Sequence, residues 1–173
     1  MSAQDGKLNI EDCIVRFADL AAHESPYHPL DMQLARYDRK RYSVIGRPSE
    51  QAGAVANGRQ VKEFSVVYIK CEPGKGIGAH GHATSEVFIV MAGRWKITGG
   101  GAGEHEVELG PWDVISVPPD LMHGAVNVSD EDGWLMAINA GQAGAPIRWA
   151  PALLEEIRAQ GKEAAESEAP GLR

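Results

Sequence analysis

The stretch Gly74-Lys-Gly-Ile-Gly-Ala-His80-Gly-His82-Ala-Thr-Ser-Glu86-Val-Phe-Ile-Val-Met-Ala-Gly93 decides how this chain is read. Two histidines and a carboxylate fall within seven residues, between a glycine-rich approach and an apolar run. On a β-strand, residues two apart project from one face, so His80 and His82 can hold one metal ion together. On a helix they would point about 200° apart and could not. Glu86 follows closely and offers an oxygen donor. A further histidine, His123, lies in a second stretch downstream. The expectation is a mononuclear metal site built from His80, His82, Glu86 and His123.

Working outward, residues 86–92 are apolar almost throughout and read as a strand buried on both faces. Gly93 bends the chain and residues 94–98 continue as strand. A glycine-rich turn, 99–103, leads to residues 104–109, whose partial alternation suits a half-exposed hairpin partner. Gly110-Pro111 turns the chain into a strand over 113–117. Pro118-Pro-Asp-Leu-Met122 is a rigid turn delivering His123. Strands over 124–128 and 134–139 flank an acidic turn. Upstream, residues 63–71 are rich in β-branched and aromatic side chains and read as strand, as do residues 41–45. Residues 48–60 read as a surface loop.

Both ends carry helical patterns. Ile10, Ile14, Phe17 and Leu20 recur at helical spacing, with Glu11 and Asp12 near the start, so residues 10–22 are expected to be a helix. Residues 151–161 open with Pro151 and stop at Gly161, as a helix would. His23 and His28, in a proline-containing loop, and His105, between glutamates, are expected to be solvated. Short strands at close spacing with helices at the ends define an all-β sandwich or barrel. Residues 1–59 form an N-terminal extension packing on the barrel or on a partner, 60–140 the barrel, and 141–173 a C-terminal helix and tail.

At 173 residues the chain suits one domain with a sizeable core. Its 20 glycines, about 12% against about 7% on average, and its 10 prolines favour strands and turns over a helical bundle. A formal net charge of -7 argues against a nucleic-acid partner. The one basic cluster, residues 36–41, is read as a solvated or subunit-contacting surface. Two cysteines, Cys13 and Cys71, make no disulfide framework and imply a reducing cytoplasm; Cys71 is expected to pack. The polar N-terminus has no apolar region of the secretory kind, and no apolar run reaches membrane-spanning length.

The two stretches resemble the paired motifs of the cupin superfamily, over roughly residues 60–140. Gly74, His80, His82, Glu86 and Gly93 fill every fixed position of the first motif. Pro118, His123 and Asn127 fit the second, where Trp112 and Asp120 stand in place of two glycines. Gly110, two residues before Trp112, is a candidate to supply the first turn instead. The resemblance implies an antiparallel jelly-roll barrel of six to eight strands with His80, His82, Glu86 and His123 as ligands of an internal metal. Cupins are often dimers, and a homodimer is expected here.

Three imidazoles and a carboxylate leave two positions of an octahedral ion open, as a catalytic site requires. This donor set suits Fe(II), Mn(II), Ni(II), Zn(II) or Co(II). The first expectation is a non-haem Fe(II) dioxygenase acting on a small chelating enol, phenol or diketone, with O2 as co-substrate. The alternatives are a redox-neutral lyase or isomerase, in which the metal polarises a carbonyl, and a non-enzymatic small-molecule-binding barrel. Glu86 is a candidate base. Arg94, just past the Gly93 bend, is a candidate clamp for a substrate carboxylate, with Arg148 and Tyr68 as weaker ones. Asn127 is expected to brace the ligand loop. Phe88, Val90, Trp95, Ile115, Val117, Met122, Trp134, Met136 and Ile138 are candidate pocket-lining residues.

Overall fold

The computed structural model describes residues 10–21, 27–46, 61, 63–100, 103–141, 146–164 and 167–168. Eleven strands are found among them: β1 Lys40–Ile45, β2 Phe64–Cys71, β3 Gly76–Gly81, β4 Glu86–Ala92, β5 Trp95–Gly99, β6 His105–Leu109, β7 Val114–Val117, β8 His123–Asn127, β9 Gly133–Ala140, β10 Ile147–Trp149 and β11 Ser167–Glu168. They form two facing sheets, one of order β1-β2-β9-β4-β7 and one of order β11-β10-β3-β8-β5-β6. Every pairing is antiparallel. This is the jelly-roll layout, with the two sheets enclosing a core rather than closing into one continuous barrel.

Period-two alternation builds that core. On β9, Leu135 and Ala137 turn inward, joining Ile69, Cys71, Ile77, Phe88, Val90, Trp95, Ile97 and Ala125. The alternate residues Trp134, Met136 and Ile138 turn outward and pack with Tyr42, Val44 and Val66 beneath Leu20. These three are therefore not pocket-lining: the outer face of this sheet is apolar because the N-terminal segment covers it. β4 alternates too, its outward residues half-buried, so it is not buried on both faces. Of the remaining candidates, Val90 and Trp95 are fully enclosed core residues, Ile115 packs against the same core, and Met122 packs with the C-terminal helix.

The N-terminal helix expected over residues 10–22 is not continuous. A 3-10 turn, Ile10–Cys13, precedes a short helix α1, Phe17–Ala21. Only Leu20 of its apolar stripe is buried; Ile10, Ile14 and Phe17 are 74%, 41% and 48% exposed. The helical spacing is present, but only Leu20 and the half-exposed Phe17, against Tyr42 and Trp134, anchor the helix on the sheet, and five residues of helix are too few to propagate on their own. The C-terminal helix α2, Pro151–Ala159, forms as read, with Pro151 in its first turn and Leu153, Leu154 and Ile157 buried. It packs with Leu30, Leu34, Ile147 and Trp149 against the second sheet. His23 and the 48–60 loop lie outside the described residues. No helix among the described residues is long and apolar enough to cross a membrane.

Candidate metal centre

The four proposed ligands all sit where strands begin or end, at one end of the sheets. His80 lies in β3, paired directly with His123, the first residue of β8. His123 thus opens a strand rather than ending a turn. His82 follows immediately after β3, and Glu86 opens β4. Ile77 already faces inward, so unbroken alternation would turn His80 outward three residues later. The register between β3 and β8 shifts between Ile77 and His80, and this bulge returns His80 to the interior. Gly78 is tightly packed there: a Cβ would meet Asp31 Cβ and Leu153 Cδ2, each at 3.0 Å, and both would have to give by a few tenths of an ångström.

The result is a convergence of three imidazoles on one carboxylate oxygen. Glu86 Oε2 lies 2.9 Å from His123 Nε2, 3.5 Å from His82 Nε2 and 3.6 Å from His80 Nε2. One donor atom from each of His80, Glu86 and His123 falls within 4.8 Å of the others. His82 stands at the rim of this trio through its Glu86 contact. All four side chains are at most 7% exposed. The ring centroids of His80 and His123 are 4.4 Å apart, and those of His80 and His82 5.0 Å.

The hydrogen bonds decide which nitrogens face inward. His80 Nδ1 donates to the Gly78 carbonyl at 2.8 Å, and His123 Nδ1 donates to the Leu121 carbonyl at 3.0 Å. In a neutral imidazole that N–H is the single donor and Nε2 is left with a lone pair that a metal ion can take. Burial, opposed by Glu86, lowers the His80 pKa and favours that neutral form. Burial pushes Glu86 up, yet its contacts with His123, His80 and His82 outweigh it and hold the carboxyl well below the ordinary range. These contacts, the shortest a 2.9 Å hydrogen bond between His123 Nε2 and Glu86 Oε2, gather the donor atoms around one point. Cis donors around a transition metal at about 2.1 Å stand about 3 Å apart, close to the spacing here. The donor set therefore fits a divalent ion.

A chain of buried polar contacts reaches His80 from outside the motif. Asp31, fully buried in a 3-10 turn (Leu30–Gln33), accepts two hydrogen bonds from Arg39 at 2.9 and 3.0 Å and the Gly78 N–H at 2.8 Å. The Gly78 peptide is thus held on one side by Asp31 and on the other holds His80. Neither Asp31 nor Arg39 stands out in the sequence. Period-two reading of residues 39–44 would have placed Arg39 and Arg41 on one face and Tyr42 and Val44 on the other. The basic cluster is accordingly not all surface: Arg36 pairs with Glu156 at the exterior, but Arg39 is buried.

The other candidates lie elsewhere. Arg94 is exposed, ion-paired with Glu108 at 3.5 Å and hydrogen-bonded to the Val128 carbonyl, at the opposite end of β8 from His123. It is not brought to the cluster, so its assignment as a catalytic clamp is withdrawn. Arg148 is exposed and pairs with Asp120 at 3.0 Å. Tyr68 packs on the outer face. His28 and His105 are exposed. Asn127 donates to the Cys71 and Glu131 carbonyls, bracing the turn after β8 rather than the ligands. Trp112 and Asp120 take positive φ angles of 72° and 65°. They adopt the left-handed backbone of the glycines they replace, and Gly110 does not substitute for them.

Residues 67–139 match the family model described as a cupin domain. A search of curated protein sequences finds no match. Among solved structures, the chain is similar to a sugar phosphate isomerase of the cupin superfamily from Silicibacter pomeroyi, at 19% identity over 84% of this chain and 82% of that one, with a TM-score of 0.54. It is similar to a Cupin 2 conserved barrel domain protein from Salinispora arenicola, at 24% identity over 78% and 96% of the two chains, with a TM-score of 0.45. It is also similar to the DMSP lyase DddQ from Ruegeria pomeroyi, at 17% identity over 60% of this chain but only 47% of that one, with a TM-score of 0.49. The two sheets, the histidine-bearing strand ends and the family match agree: residues 67–139 are similar to a cupin domain, set in a jelly-roll fold.

Proposed function

We propose that the chain is a mononuclear metal-dependent enzyme in which His80, His82, Glu86 and His123 hold one divalent transition metal. The observation that carries this is the convergence of three imidazole Nε2 atoms on Glu86 Oε2, with two of the rings fixed by their Nδ1–H bonds. The reaction we assign first is oxidative cleavage of a small chelating enol, phenol or diketone by a non-haem iron dioxygenase. Iron(II) bound there would supply dioxygen activation beside a chelated substrate.

The residues define their own parts in this scheme. His80 and His123 present neutral lone pairs whose direction their carbonyl partners fix. Glu86 stays ionised and contributes charge rather than a proton. Phe88, its ring centroid 5.6 Å from that of His123, shields the inner side of the cluster from water. A second reading, a redox-neutral isomerase or lyase, is supported by the ionised Glu86: a carboxylate that leaves the ligand sphere can take a proton from carbon. Isomerase is also the activity named for the Silicibacter pomeroyi neighbour.

Metal analysis of protein purified without oxygen separates these readings. One equivalent of iron, with oxygen uptake on adding catechol-like or diketone compounds, supports the dioxygenase. One equivalent of zinc, nickel or manganese without oxygen uptake moves the assignment to the isomerase or lyase. Protein that takes up no divalent metal removes both.

A further inference from the structure

Arg41 is a half-buried charged side chain that the metal cluster does not use and that, among the described residues, no carboxylate holds. Its register fixes where it points. Arg41 pairs with Ile69, and Tyr42 with Tyr68. Ile69 belongs to the core between the sheets, whereas Tyr42 and Tyr68 belong to the outer cluster. Arg41 therefore projects from the inner face of β1. Two residues earlier, Arg39 reaches across to the Gly76 carbonyl at 3.3 Å. This edge of β1 thus faces β3, the strand that carries His80.

The guanidinium is poorly matched by protein groups. It donates to the Tyr27 carbonyl at 3.3 Å and lies 5.0 Å from the Tyr27 ring centroid. Arg36, Arg39, Arg94 and Arg148 each hold a carboxylate; among the described residues none bridges Arg41. Five N–H donors in a rigid fork are built for a carboxylate or a phosphate, and a partly buried guanidinium without such a partner is costly. Burial and the neighbouring Arg39 charge push the Arg41 guanidinium down to about 10, while Tyr27, Asp31 and Glu86 pull the other way.

We propose that Arg41 is the oxyanion-binding residue of the substrate site, and that the substrate is a small chelating acid whose carboxylate or phosphate seats on the Arg41 fork while its other oxygens face the His80, His82, Glu86 and His123 cluster. The proposal rests on the metal-centre reading for the second half of that contact only.

The test uses the full chain loaded with cobalt(II) and three probes with one chelating head. Butyrohydroxamate has a neutral tail, succinohydroxamate a carboxylate tail, and phosphonoacetohydroxamate a phosphonate tail. Calorimetric titration should show at least one acid-tailed probe binding about tenfold or more tightly than butyrohydroxamate, and the better of the two identifies the oxyanion. Arg41→Met should abolish this preference while leaving butyrohydroxamate affinity and cobalt content unchanged. Arg41→Lys, which keeps the charge but loses the fork, should retain part of it. Equal affinity of all three probes for the wild type, or an undiminished preference in both variants, overturns the proposal. If the wild type retains no cobalt, the metal-centre reading fails by itself. Succinate and inorganic phosphate are then titrated into the metal-free protein: binding that Arg41→Met removes sustains the oxyanion site, and no binding, or binding it leaves intact, overturns it.

Discussion

Asp31 and Arg39 form a buried two-point ion pair, and the same Asp31 carboxylate takes the Gly78 N–H at 2.8 Å. Through the Gly78 carbonyl this pair orients His80. Groups that orient a ligand imidazole typically contribute roughly 10- to 100-fold in metal affinity. Asp31→Asn should therefore weaken metal binding by about that range, measured by competition with a chromogenic chelator. It should also destabilise the fold by roughly 3 kcal/mol or more, because Arg39 is left as an uncompensated buried charge. A variant destabilised in urea but with wild-type metal affinity would show that the pair holds the sheet edge and not the ligand.

His82 stands at the rim of the cluster, 3.5 Å from Glu86 Oε2. If it ligates, His82→Ala should fail to retain a full equivalent of metal through gel filtration, and Glu86→Gln should weaken retention by removing the anionic donor. Arg94→Ala is the matched control. Its side chain is 62% exposed and paired only with surface groups, so metal content should not change and stability should move by less than about 0.5 kcal/mol. A full metal equivalent in His82→Ala would restrict the ligand set to His80, Glu86 and His123.

Much of the His–Glu cluster was legible because spacing alone brings His80, His82 and Glu86 together and the second motif supplies His123. What spacing does not show is which face of a strand is the inside. Trp134, Met136 and Ile138 are as apolar as Leu135 and Ala137, since a covering segment makes the outer face of the sheet dry as well. The inward turn of His80 depends on a bulge that breaks the alternation from Ile77. Asp31 sits in a four-residue 3-10 turn, too short to show any period. Arg39 and Arg41 were hidden for a different reason. A cluster of basic residues reads as solvated surface until its members are assigned to opposite faces. β10 has only three residues, fewer than a periodicity needs.

Cys71 is 1% exposed, and burial pushes its thiol up from 9.0 to about 12. The folded chain therefore keeps this proton at pH values where the unfolded chain has lost it. Where the native state binds more protons than the unfolded state, stability falls as pH rises. The Cys71 contribution is complete below the ordinary thiol value and is lost progressively above it, toward the folded value. Urea midpoints of the wild type should decline between about pH 9 and pH 11 more steeply than those of Cys71→Ala. Near pH 8, iodoacetamide should modify exposed Cys13 first and leave Cys71 intact until the protein unfolds. Parallel slopes for the two proteins would assign the alkaline decline to other groups.

Trp112 holds φ at 72° in the turn between β6 and β7, with its side chain 77% exposed and its N–H donating to the Val90 carbonyl at 2.7 Å. An L-residue in this left-handed conformation costs about 1–2 kcal/mol. An exposed indole gains little from burial to offset that cost. Trp112→Gly keeps the N–H and removes the clash, at an entropic cost in the unfolded chain of about 0.5–1 kcal/mol. The variant should be more stable by a few tenths to about 1 kcal/mol, read from the urea midpoint at unchanged slope. Asp120→Gly should gain less at its φ of 65°, because aspartate tolerates this region better than tryptophan and the exchange also removes the surface pair with Arg148. A loss of stability in Trp112→Gly would mean that the indole makes a contact worth more than the strain it imposes. The metal content of both variants should stay at the wild-type level: Trp112 lies away from the cluster, and Asp120→Gly keeps the backbone N–H that donates to the His82 carbonyl at 2.8 Å.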